Sequence, residues 1–215
     1  ENINEIKTVK TENVTDLIKD VNLTFSYSTT GWTNGDVTVT ANTTVSGYTL
    51  QTSTDGQDWA NAATRTYSKN GMIYARLTDG INYGGVAAGS ITNIDKTAPT
   101  YTNWWWGEVN SSVVRLYIQA TDNVGIARVT APTSTQSGGY NNWVWFDAVW
   151  DAGANAYRAD ITPSTFGHYG QTYLTHLYIY DQAGNGGYCN ATNVNIPVKI
   201  NYGTSIQNSY ETLYT

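Results

Sequence analysis

The sequence predicts an all-β chain folded as two successive sandwiches. Three observations carry that expectation: a composition suited to strands and turns, short runs whose side chains alternate every second residue, and turn dipeptides between those runs. Only 13% of the 215 residues are charged, while Thr, Asn, Gly, Ser and Tyr are abundant. That mixture favours pleated strands, tight turns and neutral polar surfaces over helices. The length exceeds the usual ~100–150 residues of a single domain, so two separate cores are expected.

Residues 1–22 hold the main charge cluster, with Ile6, Val9, Val14, Leu17 and Ile18 partly at helical spacing; they predict a linker or short helix. From Leu23 the pattern becomes that of half-buried strands, in the runs Leu23–Tyr27, Val37–Thr40, Tyr48–Thr52 and Ile73–Leu77. Asn34-Gly35, Asp55-Gly56, Asn70-Gly71 and Asp79-Gly80 lie between them. Such pairs tolerate the positive φ of tight hairpin turns, and strands at this spacing describe a β-sandwich over 23–96. Pro99 in the stretch Ile94-Asp-Lys-Thr-Ala-Pro-Thr100 holds Ala98 extended and marks a connector. A second series follows over 97–200: Val113–Ala120, Ile126–Thr130, Trp143–Trp150, Tyr157–Ile161, the long aromatic run Thr172–Tyr180, and Val194–Ile200. Residues 201–215 read as a C-terminal linker.

Several function classes are excluded by the bulk numbers. A net charge of −6 with only 11 scattered Lys and Arg is a poor match to nucleic acid, whose binding rests on neutralised phosphates. It also leaves no basic face for an anionic membrane. No apolar run approaches the ~20 residues that span a bilayer. One cysteine, Cys189, forms no intrachain disulfide and reads as a small buried apolar side chain. Together with the surface-type composition, this points to bacterial export rather than a disulfide-bonded eukaryotic secreted domain. The opening, Glu1 followed by polar residues, is not a signal peptide; the chain is expected to be a piece of a longer protein.

Gly31-Trp-Thr-Asn-Gly-Asp-Val-Thr-Val-Thr40, Tyr48–Ser53 with Asp55-Gly-Gln-Asp-Trp59, Lys69-Asn-Gly71 and Asp95-Lys-Thr-Ala-Pro99 resemble the Ig-like repeats strung along Gram-positive surface and secreted proteins. In the second half, Asp122-Asn123, Gly125-Ile126, Trp145-Phe-Asp-Ala148, His168-Tyr169, Tyr173, His176-Leu-Tyr178 and Asp181-Gln-Ala-Gly-Asn185 resemble the streptococcal (GBS) Bsp-like repeat found beside exported Firmicute hydrolases. These resemblances imply two tandem immunoglobulin-like β-sandwich domains outside the cell. They supply no ligand.

For chemistry, the candidates are few. His168 and His176 are the only imidazoles, and no nucleophile-elbow sequence accompanies them. They read as partly buried rings that fix the loop before the Tyr173 strand. Glu108, Asp147, Asp151 and Asp160 lie among aromatics, but no spacing singles out a glycosidase pair. Asp95, Asp122 and Asp181 are loop-end carboxylates of the kind that hold Ca²⁺; without a dense calcium-loop motif they read as Asx turns. No cofactor or metal is expected. Trp104, Trp105, Trp106, Trp143 and Trp145 are the candidate ligand-binding residues, because exposed indole faces stack on sugar rings or on a neighbouring domain. The expected function is a non-catalytic adhesive or spacer region. The alternative is a carbohydrate-binding module whose partners are cell-wall or host glycans.

Overall fold

The computed structural model describes residues 23–191 and 193–199. The linkers expected over 1–22 and 201–215 lie outside them. The chain divides into two compact units, Glu1–Lys96 and Thr97–Thr215. Among the described residues the structure is all-β apart from one 3-10 turn at Pro163–Thr165.

In the first unit, β1 (Thr24–Tyr27), β2 (Val37–Asn42) and β4 (Thr64–Tyr67) form one antiparallel sheet. The other holds β3 (Thr49–Ser53), β5 (Gly71–Thr78) and β6 (Ala87–Ile91). Alternation turns Val37 and Val39 from one sheet, and Ile73 and Ile91 from the other, into a shared core with Tyr67 and Ile94, against which Phe25 and Tyr27 pack. Arg65 ties the sheets together, donating from Nε to the Thr52 hydroxyl (2.9 Å) and from Nη2 to the Thr52 carbonyl (2.7 Å). The four turn dipeptides divide into two kinds. Asn34-Gly35 and Asp79-Gly80 join paired neighbours, β1 to β2 and β5 to β6. Asp55-Gly56 and Asn70-Gly71 instead carry the chain from one sheet to the other, since β3 and β5 do not pair with β4. A turn residue sets local φ and leaves the choice of partner strand to the core.

The second unit has the sheet order β10-β9-β13-β14, with β15 also on β13, facing the sheet β11-β12-β8-β7. Its strands are β7 (Thr100–Val109), β8 (Val114–Thr121), β9 (Ile126–Thr135), β10 (Val144–Asp147), β11 (Val149–Asp151), β12 (Ala156–Ile161), β13 (Thr172–Asp181), β14 (Gly186–Asn190) and β15 (Val194–Asn195). Between the sheets lie Val114, Leu116, Ile118, Val129, Ala131, Ile161, Tyr173, Leu177 and Ile179. The expected single strand Trp143–Trp150 is two strands in opposite sheets. The chain turns at Ala148, whose N–H donates to the Val129 carbonyl (2.9 Å); alternation alone does not reveal a strand that changes sheets. The strand expected over Val194–Ile200 is only two residues long, because Pro197 has no N–H for a ladder. Cys189 is buried and free, and burial pushes its thiol pKa up.

Candidate functional site

The outward face of the β10-β9-β13-β14 sheet carries an aromatic belt. On its inner strand β9, the outward residues are small: Thr130, Pro132 and Ser134, all buried although they point away from the core. Rings from the flanking strands cover them. Trp143, just before β10, meets His176 of β13 at 4.6 Å between ring centres, and Trp145 meets Tyr178 at 5.3 Å. Tyr188 of β14 closes the belt against both His176 (5.6 Å) and Tyr178 (5.0 Å). The two cross-strand pairs are two residues apart on each strand, ~7 Å along the sheet. Pro132, Trp143, Trp145, His176 and Tyr178 line a groove of ≈ 350 Å³ between them.

Pro132 shapes the floor in a second way. β9 pairs with β13 at Thr133↔Thr175 and again at Thr130↔Tyr178, but not at the positions between. A proline in a central strand has no N–H to give the ladder, so the gap falls beneath the groove.

The belt combines open faces with uncommitted polar edges. Trp145 is 53% exposed and Tyr188 49%. Among the described residues, the indole N–H groups of Trp143 and Trp145, both His176 nitrogens and the Tyr178 hydroxyl have no protein hydrogen-bond partner. The Tyr188 hydroxyl is held by Asn190 Oδ1. Burial lowers the His176 pKa below the ordinary imidazole value, so at neutral pH the ring is neutral and offers one donor and one acceptor.

Of the five tryptophans expected at a ligand site, Trp143 and Trp145 lie together here. Trp104, Trp105 and Trp106 do not. They sit on β7 in the opposite sheet, paired with Ile118, Tyr117 and Leu116. Trp104 and Trp106 pack against the core and meet edge to face at 6.5 Å. Trp105 takes the outer face and stacks flat on Tyr117 (5.3 Å, 9°); Gly107 leaves room for that ring, since a Cβ there would lie 2.6 Å from Tyr117 Cε2. The triplet obeys strand alternation, which gives two of its rings to the interior. His176, Tyr178 and Tyr188 were not among the expected ligand residues. The signal for His176 and Tyr178 was present in the even-numbered positions of the Tyr173–Tyr180 run, while Tyr188 lies on β14 outside it; register across the strands was needed to bring all three to the two tryptophans.

The carboxylates weighed for glycoside hydrolysis are taken up by arginines. Arg115 binds Glu108 (2.7 Å) and Asp160 (3.3 Å), Arg158 binds Asp151 (3.0 Å) and Asp160 (3.2 Å), and Arg128 binds Asp147 (2.8 Å). Asp151 is further held in its charged form by the backbone N–H of Ala154, with Arg158 and Gly153 adding to it; its pKa is lowered, opposite to what a general acid needs. His168 Nδ1 lies 2.8 Å from the Thr135 hydroxyl. Thr135 is fully buried, and its oxygen already accepts from Asn142 Nδ2 (2.9 Å) and Gly138 N–H (3.2 Å), which leaves its proton for His168. The His168 carbonyl accepts from the Tyr173 hydroxyl at 2.5 Å, so the imidazole fastens its loop to β9 and the backbone carbonyl fastens it to β13. Asp122 and Asp181 each cap their own turn, Asp122 accepting from Val124 and Gly125, Asp181 from Asn185.

No protein-family model matches the chain, and no curated protein matches it. Solved structures similar to it include the chicken CNTN1 FN1-FN3 domains, at 12% identity and a TM-score of 0.37, covering 84% of this chain and 67% of that one. Another is a tetra-tandem repeat in the extending region of a large adhesion protein, at 16% identity and a TM-score of 0.40, covering 82% of this chain. The chain spans 49% of that second protein. Among the described residues, no helix is long and apolar enough to cross a membrane.

Proposed function

We propose that the chain is a non-catalytic adhesive region of an exported bacterial protein, and that its second unit binds carbohydrate through the aromatic belt. The observation that carries this reading is the conjunction of open indole and phenol faces with five polar atoms that have no hydrogen-bond partner among the described residues, around one groove floored by Pro132. Sugars present apolar C–H faces and a ring of hydroxyls. Aromatic faces take the former, and indole N–H, imidazole and phenol groups take the latter. A core has no use for such unmatched polar edges, and the exposed belt is larger than isolated surface rings require. The resemblance of the second unit to the Bsp-like repeat of exported Firmicute proteins fits a module that holds a partner domain near a glycan surface.

Isothermal titration of the full chain with neutral glycans tests the proposal, using chitohexaose, cellohexaose, soluble peptidoglycan fragments and N-acetyllactosamine oligomers. Binding to at least one class, lost in Trp145→Ala and Tyr178→Ala variants that keep their β-sheet circular dichroism, is the expected result. Titration of the whole panel without heat or a shift in tryptophan emission leaves the spacer reading in its place.

A further inference from the structure

We infer that the first unit carries a second, separate binding site, centred on Arg76, for the carboxylate of an acidic sugar. Arg76 lies on the outward face of β5, opposite Gln51 of β3. Two loops reach over that face, and each brings an aromatic ring against the guanidinium. The guanidinium carbon lies over the ring of Trp59, from the β3–β4 loop, 4.0 Å from its centre, and over the ring of Tyr83, from the β5–β6 loop, 3.9 Å from its centre. Nε donates to Gln51 Oε1 (2.9 Å), and Gln51 Nε2 donates in turn to Asn61 Oδ1 (2.8 Å). The head group is therefore held against two rings and along one edge.

The remaining edge is open. Of the five arginines, Arg115, Arg128 and Arg158 pair with carboxylates, and Arg65 gives Nε and Nη2 to Thr52. Arg76 alone has neither an ion pair nor a protein acceptor for Nη1 and Nη2 among the described residues. Of the acids on the two covering loops, Asp55 accepts from Ser53, Gln57 and Asp58, and Asp79 from Ile81 and Asn82; among the described residues none of them, Asp58 included, forms an ion pair with Arg76. A guanidinium packed against two rings and presenting a two-nitrogen fork matches a planar carboxylate in the bidentate manner. The β5–β6 loop that carries Tyr83 also supplies exposed apolar surface, with Tyr83 51%, Ile81 85% and Val86 55% exposed. A carboxylate carried on a sugar ring would meet both features; a small inorganic anion would use only the first.

The full chain is titrated with tetragalacturonate and with sialyllactose, and with their uncharged counterparts, the methyl-esterified tetragalacturonide and lactose. A short peptide with a free C-terminal carboxylate forms a fifth arm. The expected result is binding of one or both sugar acids that weakens about tenfold on esterification or removal of the acid, and weakens with rising salt. Arg76→Lys keeps the charge but loses the fork and lowers affinity by a similar factor, and the difference between acid and ester, which a belt for neutral glycans does not produce, lets this site and the belt of the second unit succeed or fail separately. Comparison of acid with ester needs no variant to fold. Absence of binding in both sugar-acid arms, equal binding of acid and ester, full affinity in Arg76→Lys, or equal binding of the peptide acid overturns the assignment.

Discussion

Trp145 and Trp106 make opposite predictions from the same substitution, and the pair tests whether the outer face of the β10-β9-β13-β14 sheet is the recognition surface. Trp145 is 53% exposed and its buried part lies on Tyr178. If a sugar covers its open half, on the order of 100 Å² of apolar surface leaves water on the two partners together. At ~25 cal/mol per Å² that is ~2.5 kcal/mol, a ceiling reduced by the ordering of ligand and side chains. Trp145→Ala is therefore expected to weaken glycan binding by about tenfold or more, each factor of ten being ~1.4 kcal/mol. Water fills the space it vacates, so stability changes by no more than ~1–2 kcal/mol. Trp106 packs against the core of the same unit. Its replacement by Ala is expected to cost on the order of 3 kcal/mol of stability through a lost core contact, while leaving the affinity of the folded fraction unaltered. Calorimetric titration gives the affinities, and urea melts followed by near-ultraviolet circular dichroism give the stabilities. A Trp145→Ala affinity within twofold of wild type, or a folded Trp106→Ala protein that no longer binds, refutes the reasoning.

Three further outcomes follow from packing and charge. Leu177→Ala empties a fully buried position in the middle of β13 and is expected to cost ~2–5 kcal/mol, read as a drop in the denaturation midpoint of the second unit. Gly187→Ala places a Cβ 2.5 Å from the Pro99 carbonyl oxygen; backbone cannot swing aside as a side chain does, so a loss of ~1–3 kcal/mol is expected in urea melts, and an unchanged midpoint contradicts it. Asp55 accepts first from the Gln57 and Asp58 N–H groups and then from the Ser53 hydroxyl, which lowers its pKa from 3.8 to about 2. A carboxyl depressed in the fold stabilises it fully above its ordinary pKa and ceases to do so as pH falls towards 2. The gap in melting temperature between wild type and Asp55→Asn should shrink across that window, and a gap constant in pH would contradict the assignment.

Much of the fold was legible because strands announce themselves every second residue. Val37–Val39, Leu116–Ile118 and Leu177–Ile179 alternate cleanly and form the two cores. What alternation hides is partnership. β4, β6 and β14 are short, with residues such as Gly89 and Gly187 in place of large apolar ones, and they are recognisable only beside their neighbours. The proposed aromatic belt was half legible for the same reason. Trp143 and Trp145 stood out by chemistry, but so did Trp104-Trp105-Trp106, and only pairing distinguishes an outward ring from an inward one. Arg76 gave no signal at all, since Trp59 and Tyr83 lie 17 and 7 residues from it in the chain and arrive through separate loops.

The proline in β9 also bears on how the sheet finds its alignment. A one-residue slip of β9 along β13 would turn Val129, Ala131 and Thr133 to solvent, and a two-residue slip would restore the faces but move the missing donor to a place where the partner carbonyl now has one. Only the native offset sets Pro132 under rings that shield the break, so a misaligned β9–β13 pair is left with both an open seam and an uncovered aromatic stripe. A single imino acid thus discourages the near-miss pairings to which Thr-rich strands are otherwise prone.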